Sequence, residues 1–236
     1  MSQGILNNPE CKTFYEKINE RILCIKCREE RSLFSHKDKK HNSSYSNMIP
    51  GFSSSHLQVP IDLMIIAEAH GGGRADAFRN QRSLQIELEH LEQYYLQKEI
   101  SKFHQSEMKK FLLQLNDLNL TWVFTDLVKC FVWQDRKDEL DCRTNFKKAE
   151  AHCSKYLQQQ LDFLRPKLII SLGGKVSSYF KIKSAQHGTL YERAGRKIIH
   201  CTFPSRNTAD HWARNKEWSL ILERLSIEFT LSLHGR

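Results

Sequence analysis

Apolar positions along the chain follow two periods. Phe14, Ile18 and Ile22 recur at i, i+4 and i+8, which predicts a helix within the first 23 residues. Four short apolar runs, at 63–67, 122–128, 168–172 and 197–202, show no alternation and predict strands buried on both faces. Between them, 81–115 and 146–164 keep helical spacing, the first heavily charged at its start. Strands alternating with helices predict an α/β fold with a mostly parallel four-stranded sheet. Residues 36–60 are rich in Ser, Lys and His, with Pro50-Gly51 marking a turn, and are expected to be irregular. Neither a repeat nor a separate linker is visible. One domain over 1–236 is expected, with 1–60 as an N-terminal appendage.

Composition agrees with a single soluble globule. The 236 residues are 40% hydrophobic and 27% charged, enough to bury a core without disulfides. No apolar run approaches the roughly 20 residues that span a bilayer, and the first 20 are too polar for a secretory signal. Membrane and secreted classes are therefore set aside, and a cytoplasmic monomer is expected. Lys and Arg total 36 against 27 Asp and Glu, a net charge of +9. Such an excess is the footprint of a phosphate-backbone binder, although a merely basic surface would look the same. Seven cysteines without an export signal suggest thiols or metal ligands rather than disulfides.

Two strand ends carry candidate chemistry. The first runs Ile65-Ile66-Ala67-Glu68-Ala69-His70 into Gly71-Gly72-Gly73. In open α/β sheets ligands bind at the carboxyl ends of strands, so Glu68 is a candidate catalytic group, and glycines let backbone approach a ligand closely. The spacing fits neither common phosphate-loop pattern, and a plain structural turn is the alternative. The second runs Ile199-His200-Cys201-Thr202-Phe203-Pro204 into Ser205 and Arg206, with His211, Trp212 and Arg214 beyond. Cations and an aromatic after a strand suit a nucleic-acid contact. Cys24-x-x-Cys27, Cys130 at the close of a strand and Cys153 at the start of a helix offer four thiols from separate regions. They suit a 4Fe–4S cluster or a structural zinc. Cys11, Cys142 and Cys201 are read as buried thiols.

Taken together, the motifs resemble the uracil-DNA glycosylase superfamily, most closely its iron–sulfur branch, family 4. That branch has an early CxxC, then G-E-A-P-G, T-N-V-V-K-C, C-x-x-Y/F-L, an R-P-K strand ending in L-G, and H-P-S. This chain has Cys24 and Cys27, Ala67-Glu68-Ala69-His70-Gly71, Thr125-Asp126-Leu127-Val128-Lys129-Cys130, Cys153 to Leu157, Arg165-Pro166-Lys167 to Leu172-Gly173, and Phe203-Pro204-Ser205. The resemblance implies a three-layer α/β/α sandwich and cleavage of an N-glycosidic bond in DNA after base flipping. It also implies a 4Fe–4S cluster on Cys24, Cys27, Cys130 and Cys153, with zinc the lesser alternative.

The departures fall on the base pocket. His70 stands where the family has Pro, Phe203 where it has His, and Asp126 where it has the Asn that reads uracil. An amide satisfies both the O4 acceptor and the N3–H donor of uracil, whereas a carboxylate repels O4 and accepts from the N4 amino group of cytosine. Excising ordinary cytosine would destroy the host genome, so a modified cytosine is the expected target. Glu68 would position water or stabilise the sugar cation, with His70 as the other catalytic candidate. Asp126 would read the base, with Gly71 leaving room for a C5 substituent and Phe203 lining the pocket. Phe78 would stack on the base or be core. Ser205, Arg206, His211 and Arg214 would hold DNA. The alternatives are a plain uracil-DNA glycosylase and a non-catalytic, cluster-bearing DNA-binding module.

Overall fold

The computed structural model of the chain describes residues 4–21, 51–69, 88, 103–128, 139–204 and 217–234. In chain order these hold α1 (Gly4–Asn7), α2 (Pro9–Arg21), β1 (Phe52–Ser53), β2 (Leu63–Ala69), α3 (Phe103–Asp117), β3 (Trp122–Val128) and α4 (Glu139–Leu164). They continue with β4 (Leu168–Leu172), α5 (Gly174–Tyr179), β5 (Leu190–Arg193), β6 (Arg196–Cys201) and α6 (Glu217–His234). One six-stranded sheet runs in the order β1-β3-β2-β4-β6-β5. Its inner four strands are parallel, and they are the four apolar runs of the sequence. The antiparallel edge strands β1 and β5 are additions to the expected four. β1 also gives ordered structure to part of the stretch expected to be irregular.

The inner strands are mostly apolar because both faces are covered. Every residue of β3 and β4 is buried. Strand alternation shows what covers each face. Arg196 of β6 reaches Asp162 of α4 at 3.1 Å, and the next residue, Lys197, reaches Glu228 of α6 at 2.7 Å. Helix α4 therefore lies on one face and α6 on the other, giving three layers. Phe111 of α3 stacks on Trp218 at 4.0 Å, which puts α3 beside α6. At the amino ends, Asp62 accepts hydrogen bonds from Thr121 and pairs with Lys167 at 2.7 Å, tying the starts of β2, β3 and β4 together. Burial alone would raise the Asp62 pKa; the bonds to Lys167 and Thr121 outweigh it and hold it low. Among the described residues no helix is long and apolar enough to cross a membrane.

Candidate active site

All four parallel strands end on the same edge of the sheet. The chain passes from β2 to β3 on one side, then crosses back over β2 to place β4 on the other. This order makes the carboxyl ends of β2 and β4 a topological switch point, the usual ligand position in such sheets. Ile66 pairs with Ser171, so two residues further on Glu68 comes level with Gly173.

At this switch point Glu68 is held from three sides. Its Oε2 lies 3.3 Å from the ammonium of Lys175. Its Oε1 lies 3.4 Å from the backbone N–H of the same residue, which donates to it. The third side is Gly173, where φ is 88° and an added Cβ would stand 2.8 Å from Oε1. The Gly173 amide donates to the Cys201 carbonyl at 2.8 Å, joining the ends of β4 and β6. The Lys175 ammonium in turn sits 4.0 Å from the ring centroid of Phe146 on α4. The Glu68 side chain remains 33% exposed, so its carboxylate is accessible. Gly173→Ala is expected to cost about 1–3 kcal/mol, from a backbone region closed to Cβ-bearing residues and from the displaced carboxylate. A lowered urea midpoint with an unchanged slope is the measurement.

Asp126 lies on the adjacent strand, two residues inside the end of β3, and is 4% exposed. It pairs with Ala67, so the alternation assigns Asp126 and Glu68 to opposite faces of the sheet. The neighbours agree. Thr125 donates to Gln160 Oε1 of α4 at 3.3 Å, which puts Asp126 on the side away from α4. Glu68 meets Lys175, which rests on α4. The two carboxylates therefore flank the rim of β2 and β3, and a ligand meets both only by lying across the strand ends.

At the end of β6, Phe203 is partly buried against the core. The Thr202 amide donates to His187 Nδ1 at 3.0 Å. Inside the rim, His200 Nδ1 lies 2.6 Å from Ser177 Oγ, and burial, then the neighbouring His187, holds the His200 imidazole below its ordinary pKa. Sequence reading singled out neither Lys175 nor these two histidines. For Lys175 a signal existed, since it follows β4 directly after Gly173-Gly174.

Of the four expected metal ligands only Cys153 is described. It is 1% exposed and lies in the middle of α4 rather than at a helix start. The helix begins seven residues earlier than the apolar spacing indicated, because its first turns are polar. Cys11 and Cys201 are buried, as read, and burial followed by the charge of Glu10 pushes the Cys11 thiol up to about 11. Cys24, Cys27, Cys130, His70, Gly71, Phe78, Ser205, Arg206, His211 and Arg214 lie outside the described residues. Among the described residues no three His, Cys, Asp or Glu side chains cluster as a metal site.

Against known proteins, residues 78–225 match the Uracil DNA glycosylase superfamily, well over half of the chain. No curated protein matches it. The matched span holds β3, β4 and β6 with Asp126 and Lys175, and the fold around it is the three-layer sandwich of such a domain. The chain belongs to the uracil DNA glycosylase superfamily, a superfamily of DNA glycosylases.

Proposed function

We propose that this chain is a monofunctional DNA glycosylase that flips a C5-modified cytosine, hydroxymethylated or glucosylated as in phage DNA, and excises it as a defence against phage. The observation that carries the reading is a buried carboxylate, Asp126, on the strand next to the one that carries Glu68 just before its end. In the reaction, water adds to C1′ of the deoxyribose while the N-glycosidic bond breaks. The bonding electrons leave with the base, and the proton lost by water neutralises it. Glu68 orients the water and offsets the positive charge that grows on the sugar ring, as carboxylates do in glycoside hydrolysis. Asp126 accepts the N4 amino hydrogens of the flipped base, a match that uracil cannot offer. The +9 balance favours the DNA backbone.

The test uses duplexes carrying uracil, cytosine, 5-hydroxymethylcytosine or its glucoside, followed by alkali to break abasic sites. Scission at a modified cytosine is expected. Scission at uracil alone would make the protein a plain uracil-DNA glycosylase, and tight binding without scission a DNA-binding module.

A metal site is part of the same reading, with Cys24, Cys27, Cys130 and Cys153 as ligands of a 4Fe–4S cluster, in the manner of family 4. Burial of Cys153 suits a thiolate ligand of such a cluster, which proteins shelter from solvent. Helix packing supports it. Phe14 stacks on Phe163, Gln160 Nε2 donates to Tyr15 Oη at 3.2 Å, and Ile18 packs on Tyr156. As α2 advances α4 recedes, so the described end of α2, three residues before Cys24, heads for the level of Cys153. The cluster would brace this corner; no step of base release passes through it. Protein purified anaerobically is expected to be brown. Cys153→Ser or Cys130→Ser should lose both colour and solubility, and Cys142→Ser neither. A colourless protein with bound zinc would replace the iron and leave the four ligands standing.

A further inference from the structure

We infer that Lys175 is the positioning residue of Glu68, holding the carboxylate in one orientation at the switch point between β2 and β4; this rests on the glycosylase reading above. A glutamate at an exposed strand end has three free side-chain torsions and, left alone, spreads over several rotamers. Lys175 removes that freedom twice, with its ammonium 3.3 Å from Oε2 and its amide N–H 3.4 Å from Oε1. One residue thus grips both oxygens. Exposed ion pairs are usually loose because both side chains are mobile. Here the cation is itself fixed, 4.0 Å over the ring of Phe146, which is 3% exposed. Gly173 completes the cradle by presenting no Cβ to Oε1.

The competing role for a 40%-exposed lysine at a DNA-facing edge is a contact to phosphate. The two roles differ in chemistry. A phosphate contact adds to ground-state binding and to its salt dependence, while a positioning contact acts on the step in which Glu68 works. The other carboxylate whose charge Lys175 senses is Glu150 of α4. Burial holds that group above its ordinary pKa against the attraction of Lys175 and Lys147, but the carboxylate the ammonium touches is Glu68, at 3.3 Å.

Lys175→Met keeps the apolar stem over Phe146 and removes the ammonium, and Lys175→Arg restores a cation. Single-turnover excision and DNA binding are measured for both across a range of salt. Excision by Lys175→Met is expected to slow about 10- to 100-fold, the cost of a reacting group misplaced by an ångström or so. The DNA Kd and its salt slope should stay unchanged, and Lys175→Arg should recover most of the rate. An unchanged rate with weaker binding and a salt slope shallower by about 0.9 would make Lys175 a phosphate contact and overturn the inference. An unchanged rate with unchanged binding would overturn it as well. Should the wild-type protein excise no base, the glycosylase reading fails, and crystal structures of wild type and Lys175→Met decide the positioning question by themselves. A Glu68 carboxylate in the same conformer in both would overturn the inference; a carboxylate that rotates away in the variant would uphold it.

Discussion

Glu68→Gln is expected to abolish base release while leaving DNA binding intact. The substitution keeps the shape of the side chain at the end of β2 and removes its charge. The lost interaction exists mainly in the transition state, when the sugar becomes cationic and water must be directed at C1′. Such losses fall on the rate of the chemical step and spare ground-state affinity. Positioned carboxylates that handle a proton contribute about 10²- to 10⁴-fold, so a fall of at least about 100-fold is expected in single-turnover excision. The Kd for DNA should be no weaker, because removing a negative charge from a phosphate-facing rim cannot repel the backbone more. The fold should also tolerate the change, since Glu68 is one-third exposed and Lys175 stays solvated when its partner turns neutral. Near-wild-type turnover by Glu68→Gln would assign the chemistry elsewhere. His70, two residues after Glu68 in the sequence, would then be the first residue to test.

Glu68 was legible in the sequence because a continuous apolar run ending in a carboxylate and glycines is a local pattern. The inner strands were legible for the same reason, and 122–128 and 168–172 match β3 and β4 residue for residue. The edge strands were not. β1 is two residues in a Ser-rich stretch, and β5 is partly exposed and mixed in character, so neither carries a buried apolar run. Helix α6 does have periodic buried residues, Trp218, Ile221 and Leu225, but it lies beyond the last recognisable motif. The cradle of Glu68 could not be read locally at all. It depends on β4 lying beside β2 rather than β3, which brings residue 68 level with residue 173 over a hundred positions away. The opposite facing of Glu68 and Asp126 has the same origin, since it follows from the pairing of Ala67 with Asp126.

Specificity is tested most sharply by Asp126→Asn. The side chain is 4% exposed on a fully buried strand, so the near-isosteric amide is the substitution that disturbs packing least. Should its carboxylate accept the N4 amino hydrogens of a flipped cytosine, the amide presents an N–H or a carbonyl there depending on its rotamer. The N–H repels the amino group of cytosine but donates to the O4 of uracil, and the amide oxygen accepts from the N3–H of uracil. Excision of the modified cytosine is therefore expected to fall by about 10- to 100-fold, equivalent to the 1–3 kcal/mol of one good base-edge contact. At least a trace of activity on uracil should appear. That gain is expected to be small, because the position after Thr202 holds Phe203 and offers the departing uracil anion no hydrogen bond from its ring. Undiminished excision of the modified cytosine by Asp126→Asn, with nothing gained on uracil, would show that Asp126 does not read the base. A wild-type enzyme that prefers uracil would remove the modified-cytosine reading altogether, since a buried carboxylate would then be facing the O4 it should repel.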